Sequence, residues 1–274
     1  MKLAFHKLQA TGNDFVVLDN RARRVRSRKA FAERACARRL GVGADGVLFL
    51  EPSRRCDYRM RIYNPDGSEA EMCANGIRCI ALYAERVLGF GRAQTVETLA
   101  GRISAKVARF DAARREGLLQ VGLPEPRDYR SLSRLTVAGQ SLPFYFVEVG
   151  VPHAVIFRDD LQRFPVERVA PLIRRHEHFK PRGTNVNFAK VTGHSRIRVR
   201  TYERGVEAET LACGTGSTAS AIVSVLAGYC KPPVTVETQG GEELQISFDY
   251  DRFHVYNLSL AGKARFVYEG VLHV

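Results

Sequence analysis

Two cysteines have neighbours that suit them to chemistry. Cys73 opens Cys73-Ala74-Asn75-Gly76 and Cys213 opens Cys213-Gly214-Thr215-Gly216, so each thiol stands at a glycine-containing turn just ahead of a helical stretch. The first turn of a helix carries unpaired N–H groups and a partial positive charge; it binds a carboxylate and favours a thiolate over a thiol. A free thiol titrates at about 8.5, so a modestly lowered one is ionised at neutral pH while its twin stays protonated. Two such thiols on opposite faces of a Cα–H can remove a proton from one side and return one from the other. That inverts a stereocentre with no cofactor, provided the substrate carboxylate, where carbanion charge develops, faces both helix N-termini.

A lone cysteine before a helix is ordinarily a small buried residue. These two differ because they share an internal repeat. They lie 213 − 73 = 140 residues apart, and Thr95-Val96-Glu97-Thr98 recurs at the same offset as Thr235-Val236-Glu237-Thr238. Gly43 and Gly183 keep the offset of 140, and Gly12 and Gly150 come within two residues of it. Collinear landmarks at one period mark a duplicated unit. Cys36, Cys56, Cys79 and Cys230 have no partner at that offset and read as structural. No short Cys-x2-Cys or His-x3-His pairing exists, so no metal site is expected, and the lack of Cys-x-x-Cys argues against a redox dithiol.

The elements that would hold the cysteines are mostly strands. Residues 15–18, 46–50 and 58–63 are apolar or alternating, and 196–202 alternates cleanly. Helical periodicity follows each cysteine, over 77–88 and 217–227; the second stretch is apolar nearly all round, which implies burial. The expected fold is therefore α/β of the α+β kind: two pseudo-symmetric domains, each a curved, mainly antiparallel sheet or barrel around one central helix. Pro124-Glu125-Pro126 supplies a break that helix and strand interiors tolerate poorly. It divides a half at 1–120 carrying Cys73, completed by a C-terminal strand at 264–274, from a half at 121–263 carrying Cys213. The active site is expected between them.

Composition sets the remaining bounds. The 274 residues are 45% hydrophobic and 26% charged, as in a globular protein. No apolar run reaches the roughly 20 residues that cross a bilayer, and Met1–Lys7 lacks the apolar core of a signal peptide. A cytoplasmic location and no membrane partner are expected. The formal charge is +13, and only 8 of the 42 basic residues are lysine. The densest basic run, 21–29, has no interleaved aromatics and matches no nucleic-acid-binding module, so it reads as a solvated surface. A basic nucleic-acid-binding protein remains the remote alternative, with a steep salt dependence as its signature.

Further motifs complete the pattern. Gly12-Asn13-Asp14-Phe15, Gly41-Val42-Gly43-Ala44-Asp45-Gly46, Tyr63-Asn64-Pro65-Asp66-Gly67-Ser68-Glu69, Pro152-His153, Asn185 and Tyr202-Glu203-Arg204-Gly205 occur in order around the two cysteine segments. In this set the chain resembles diaminopimelate epimerases over essentially its full length. The resemblance implies a pyridoxal-independent interconversion of LL- and meso-diaminopimelate, a step toward lysine and peptidoglycan, and often a homodimer. It implies Cys73 and Cys213 as the acid/base pair, with His153 and Glu203 as supporting polar neighbours. The backbone around Ala74, Asn75, Gly214 and Thr215 would hold the reacting carboxylate. Asn13, Asn64, Asn185 and Arg204 would bind the distal end, Arg204 through its bidentate fork.

The chain departs from the family pattern at Ala74, where glycine is usual after the first cysteine, and at Val151, where asparagine usually precedes Pro-His. A glutamine found after Gly-x-Asp in some members is replaced by Gly46. Ala74 still offers its N–H unless the position requires positive φ. Val151 offers no polar side chain, which motivates a second reading: a racemase of the same fold acting on another amino acid.

Overall fold

A computed structural model describes residues 2–273. The chain divides into two compact units, 1–123 with 261–274, and 124–260.

The first unit begins with β1 (Lys2–Ala10) and β2 (Asn13–Asp19), joined by a turn in which Thr11 and Gly12 both take positive φ. Then follow α1 (Arg28–Cys36), β3 (Gly46–Glu51), β4 (Tyr58–Tyr63), β5 (Glu69–Ala70), α2 (Ala74–Leu88), β6 (Ala93–Thr98), β7 (Gly101–Asp111) and β8 (Glu116–Gly122). The second unit runs through β9 (Arg127–Val137), β10 (Gln140–Val149), β11 (Val151–Phe157), α3 (Val166–Arg174), β12 (Asn185–Gly193) and β13 (Arg196–Glu203). It continues with β14 (Ala208–Thr210), α4 (Gly214–Leu226), β15 (Val234–Glu237), β16 (Glu243–Asp251) and the start of the long strand β17 (His254–His273).

The repeat reappears as a shared order of strand pairing. In the first unit β1 pairs antiparallel with β2, β2 parallel with β3, β3 antiparallel with β4, β4 parallel with β6, and β6 antiparallel with β7. In the second, β10, β11, β12, β13, β15 and β16 repeat that succession step for step. Most pairs are antiparallel, and the parallel steps fall where a helix or long loop intervenes, since a parallel neighbour needs a crossover. In the first unit β8 pairs with β7 and β17, and β17 pairs with β1, from Lys2 opposite His273 to Gln9 opposite Arg265. The ring of strands is thereby closed.

The central helix of each unit is buried, and polar residues in its early turns find partners inside the fold. In α2 every residue from Ala74 to Ala84 is buried, and Gly89 ends the helix at φ 75°, its N–H donating to Ala84 O. That left-handed stop is one that glycine adopts without strain. In α4 the hydroxyls would be costly in an apolar core, but they bond back to the helix: Thr218 to Gly214 O and Ser220 to Gly216 O at 2.8 Å, Ser224 to Ala221 O at 2.7 Å.

A second, outer core covers each sheet. Phe31, Ala32 and Ala35 of α1 pack with Val16, Val47 and Phe49, while Val166, Ala170 and Ile173 of α3 pack with Val186, Phe188 and Tyr202. Among the described residues no helix is long and apolar enough to cross a membrane. The basic run at 21–29 lies in the turn after β2 and the start of α1, where Arg21 pairs with Asp19 at 2.8 Å and Arg28 with the buried Glu51 at 2.6 Å.

Candidate active site

Each cysteine is the N-cap of its unit's central helix. Cys73 caps α2 and Cys213 caps α4, both with extended backbone, and each Sγ accepts the N–H of the residue three further on, from Gly76 at 3.4 Å and from Gly216 at 3.3 Å. A cap side chain answers one of the helix's orphan N–H groups; here a thiol does so, leaving the N–H groups of the first turn directed at the space beside the sulfur. Ala74 is the first residue of α2 in helical conformation, so this position does not call for left-handed backbone and alanine serves in place of glycine.

In the first unit, Cys73 Sγ lies 3.9 Å from Asn13 Oδ1. That oxygen points at the sulfur because the other end of the amide is held: Asn13 Nδ2 donates to Asp45 Oδ2 at 2.9 Å. Asp45 is locked in turn by Asp14, whose N–H donates to Asp45 Oδ2 at 3.2 Å and whose Oδ1 accepts the Asp45 N–H at 2.9 Å. Lys7, almost fully buried, pairs with Asp14 at 2.8 Å. Asn75 Oδ1 accepts from Arg78 Nη2 at 2.8 Å beneath the helix start, and Arg78 also donates to Thr11 Oγ1. Asp45 was visible in the Gly-Ala-Asp segment but carried no role in the sequence reading; its function is to aim Asn13. Asn64 stands apart from this group, its amide donating to Ser68 Oγ at 3.0 Å within its own turn.

In the second unit the groups meet more closely. The Glu203 carboxylate lies close enough to the Cys213 thiol to raise its pKa, and accepts from Thr210 Oγ1 at 2.6 Å. Thr215 Oγ1 lies 3.5 Å from Cys213 Sγ. Burial first, then the neighbouring Glu203 charge, drives the Cys213 thiol far above its ordinary range. Burial also raises Glu203, against the hydrogen bonds from Thr210 and Cys213 that lower it. The helix terminus alone favours an ionised thiol, as the sequence suggested. At Cys213, desolvation and a carboxylate outweigh that effect, so this thiol keeps its proton.

Asn185 accepts the Arg204 N–H on Oδ1 at 2.8 Å and donates to Pro152 O at 3.3 Å, tying the end of β13 to the start of β11. Arg204 Nη1 donates to Arg182 O at 2.9 Å. Val151, opposite Val149 across the Gly150 turn, is half-buried and opens β11. His153 is fully buried next along that strand. Desolvation, followed by the Arg204 charge, lowers its pKa to about 3, so the ring is neutral at any working pH. Among the described residues there is no group of three His, Cys, Asp or Glu side chains arranged to hold a metal ion.

Burial of a neutral imidazole has a consequence for stability. The pKa falls from an ordinary 6.5 to about 3 on folding, and about 1.4 kcal/mol accompanies each pH unit. A lowered pKa contributes stability that is present above 6.5 and is lost as the pH falls toward 3. The unfolding free energy is expected to drop by roughly 5 kcal/mol from this group over that window, and His153→Gln to flatten that part of the profile. Urea titrations at stepped pH measure it; identical acid profiles for the two proteins would refute it.

The family model described as diaminopimelate epimerase matches residues 5–120 and 145–267. The chain belongs to the diaminopimelate epimerase family. A diaminopimelate epimerase of Aquifex aeolicus is 41% identical over 98% of both chains, and one of Methanocella arvoryzae is 44% identical over 100% of this chain and 98% of its own. Among solved structures, a hydroxyproline epimerase of Agrobacterium vitis superposes at TM-score 0.72 with 14% identity, covering 99% of this chain and 91% of that one. A phenazine biosynthesis protein of the PhzF family from Bacillus anthracis does so at 0.71 with 17% identity over the whole of both chains. These distant likenesses carry the fold alone.

Proposed function

We infer that the protein interconverts LL- and meso-diaminopimelate, a step toward lysine, by removing the Cα proton with one of Cys73 and Cys213 and returning a proton to the opposite face from the other. The observation that carries the mechanism is the pair of thiol N-caps, each set in the first turn of a buried helix at equivalent points of the repeat. One thiol enters ionised and takes the α-proton; the electron pair left on Cα spreads into the carboxylate, which accepts hydrogen bonds from first-turn N–H groups around Ala74, Asn75, Gly214 and Thr215. The other thiol delivers its proton to the opposite face and becomes the thiolate. In this reading no pyridoxal phosphate is required, because the first-turn N–H groups, rather than a cofactor ring, stabilise the negative charge that spreads into the carboxylate.

Cys213, driven up by burial and Glu203, is suited to enter as the protonated partner. Glu203 and His153 support the two thiols. Asn13, Asn64, Asn185 and Arg204 hold the far amino-acid end, where a guanidinium suits a second carboxylate. The same reading places the enzyme in the cytoplasm as a homodimer; size-exclusion chromatography with light scattering tests the latter.

Incubation in deuterated water with a panel of amino acids tests the substrate. Deuterium is expected at the α-carbon of LL-diaminopimelate, with no comparable incorporation elsewhere. The half-buried Val151 in place of a polar residue favours the alternative of a different amino acid, and incorporation confined to a monocarboxylic one would establish it.

A further inference from the structure

We propose that Asn187 is a positioning residue that fixes the tautomer of His153, placing the imidazole proton on Nε2. Asn187 lies on β12, two residues beyond Asn185, and is completely buried. Three groups surround its amide within the second unit. Nδ2 lies 3.0 Å from Ala154 O and 3.2 Å from His153 Nδ1, while Oδ1 accepts from Thr201 Oγ1 at 3.0 Å.

The orientation of that amide follows from its partners. A backbone carbonyl only accepts, so the atom facing Ala154 O must be the amino group; its two protons then go to Ala154 O and to His153 Nδ1. Nδ1 is thus an acceptor and carries no hydrogen. Because the buried ring is neutral, its one proton sits on Nε2. Nε2 is buried and has no hydrogen-bond partner among the described residues, so a donor is held in reserve for an anion that arrives with the reaction. His153 is set to donate to a thiolate or carboxylate and is denied the role of proton acceptor at Nε2.

This rests on the reading of His153 as a supporting group for the thiol chemistry, but the tautomer itself is measurable without turnover. In a long-range proton–nitrogen NMR spectrum of the uniformly labelled protein, the signals lost in His153→Gln are expected to show a protonated-type Nε2 and an acceptor-type Nδ1. A protonated Nδ1 in the wild type overturns the proposal. Asn187→Asp puts a carboxylate at the same place, which draws the proton to Nδ1. Inversion of the two nitrogen signals is expected, with kcat down by ~100-fold or more and KM within about twofold, as befits a histidine held in the wrong tautomer. Asn187→Asp that inverts the signals yet turns over like wild type also overturns it. Asn187→Ser, which removes the amino donor without adding charge, is expected to give mixed signals and a smaller loss of kcat. Failure of the wild type to act on diaminopimelate would sink the substrate reading while leaving the tautomer result standing.

Discussion

Cys213→Ala is expected to fold and to lose interconversion by at least ~1000-fold, and Cys73→Ala to do the same, because under the proposed two-thiol mechanism each removes one of the two groups that act from opposite faces. The two variants should not be equivalent in a second assay. A protein left with one thiol can still take a proton and return it on the same side. Each variant is therefore expected to exchange the α-hydrogen of one stereoisomer with solvent, without inverting it, and to leave the other isomer inert. Which isomer each variant exchanges assigns each sulfur to its face. Deuterium incorporation by mass spectrometry, read alongside a chiral assay, separates exchange from epimerisation. Interconversion at the wild-type rate by either variant would falsify the two-thiol mechanism. Circular dichroism guards against the trivial explanation, since the thiols cap α2 and α4 through long N–H···S contacts whose loss costs about 0.5–2 kcal/mol.

The second large effect lies in a glycine rather than in a reactive group. Gly76 and Gly216 hold the same place in the repeat, third in their helices, yet alanine should be tolerated in one and not the other. A Cβ on Gly76 would come 3.2 Å from Leu48 Cδ2 and 3.6 Å from Ile62 Cδ1, methyl groups that can turn aside. A Cβ on Gly216 would fall well inside contact distance of Asn187 Oδ1, and 3.0 Å from Thr201 Oγ1. Those two atoms are bonded to each other and cannot retreat without breaking a buried network. Gly216→Ala is expected to cost about 2–3 kcal/mol and to lower kcat by ~100-fold as the start of α4 shifts under Cys213. Gly76→Ala should stay within about 1 kcal/mol of wild type, the crowding being offset by the better helix propensity of alanine. Thermal unfolding and kcat for the two variants decide it, and equal losses at both positions would contradict the argument.

The architecture was legible in the sequence because a repeat reports topology directly. Once Cys73 and Cys213 were in register with the Thr-Val-Glu-Thr strands, one half predicted the other, and the helices after each cysteine had unmistakable periodicity. The outer helices were not legible. α1 has basic residues scattered through it and only four buried positions, and α3 has a proline at 171 inside it, so neither shows a clean apolar stripe. At the candidate site, residue type and motif singled out the thiols and the Asn, Glu and Arg groups as candidates. Their energetics were not: that Cys213 would be pushed up depends on how completely strands bury it and on Glu203 coming within reach, which only three-dimensional packing determines. Asp45 and Asn187 went unassigned for a related reason. They act on another side chain, and nothing in local spacing marks a residue whose partner is decades of positions away.

The strand β17 links the end of the chain to its beginning, with His273 opposite Lys2. Residues 261–273 follow the whole second unit in the sequence, so β1 and β8 are both made long before the strand that lies between them. The ring of the Cys73 unit therefore stays open until then, and a cut within 261–273 would act far away in sequence, on the structure around the first cysteine.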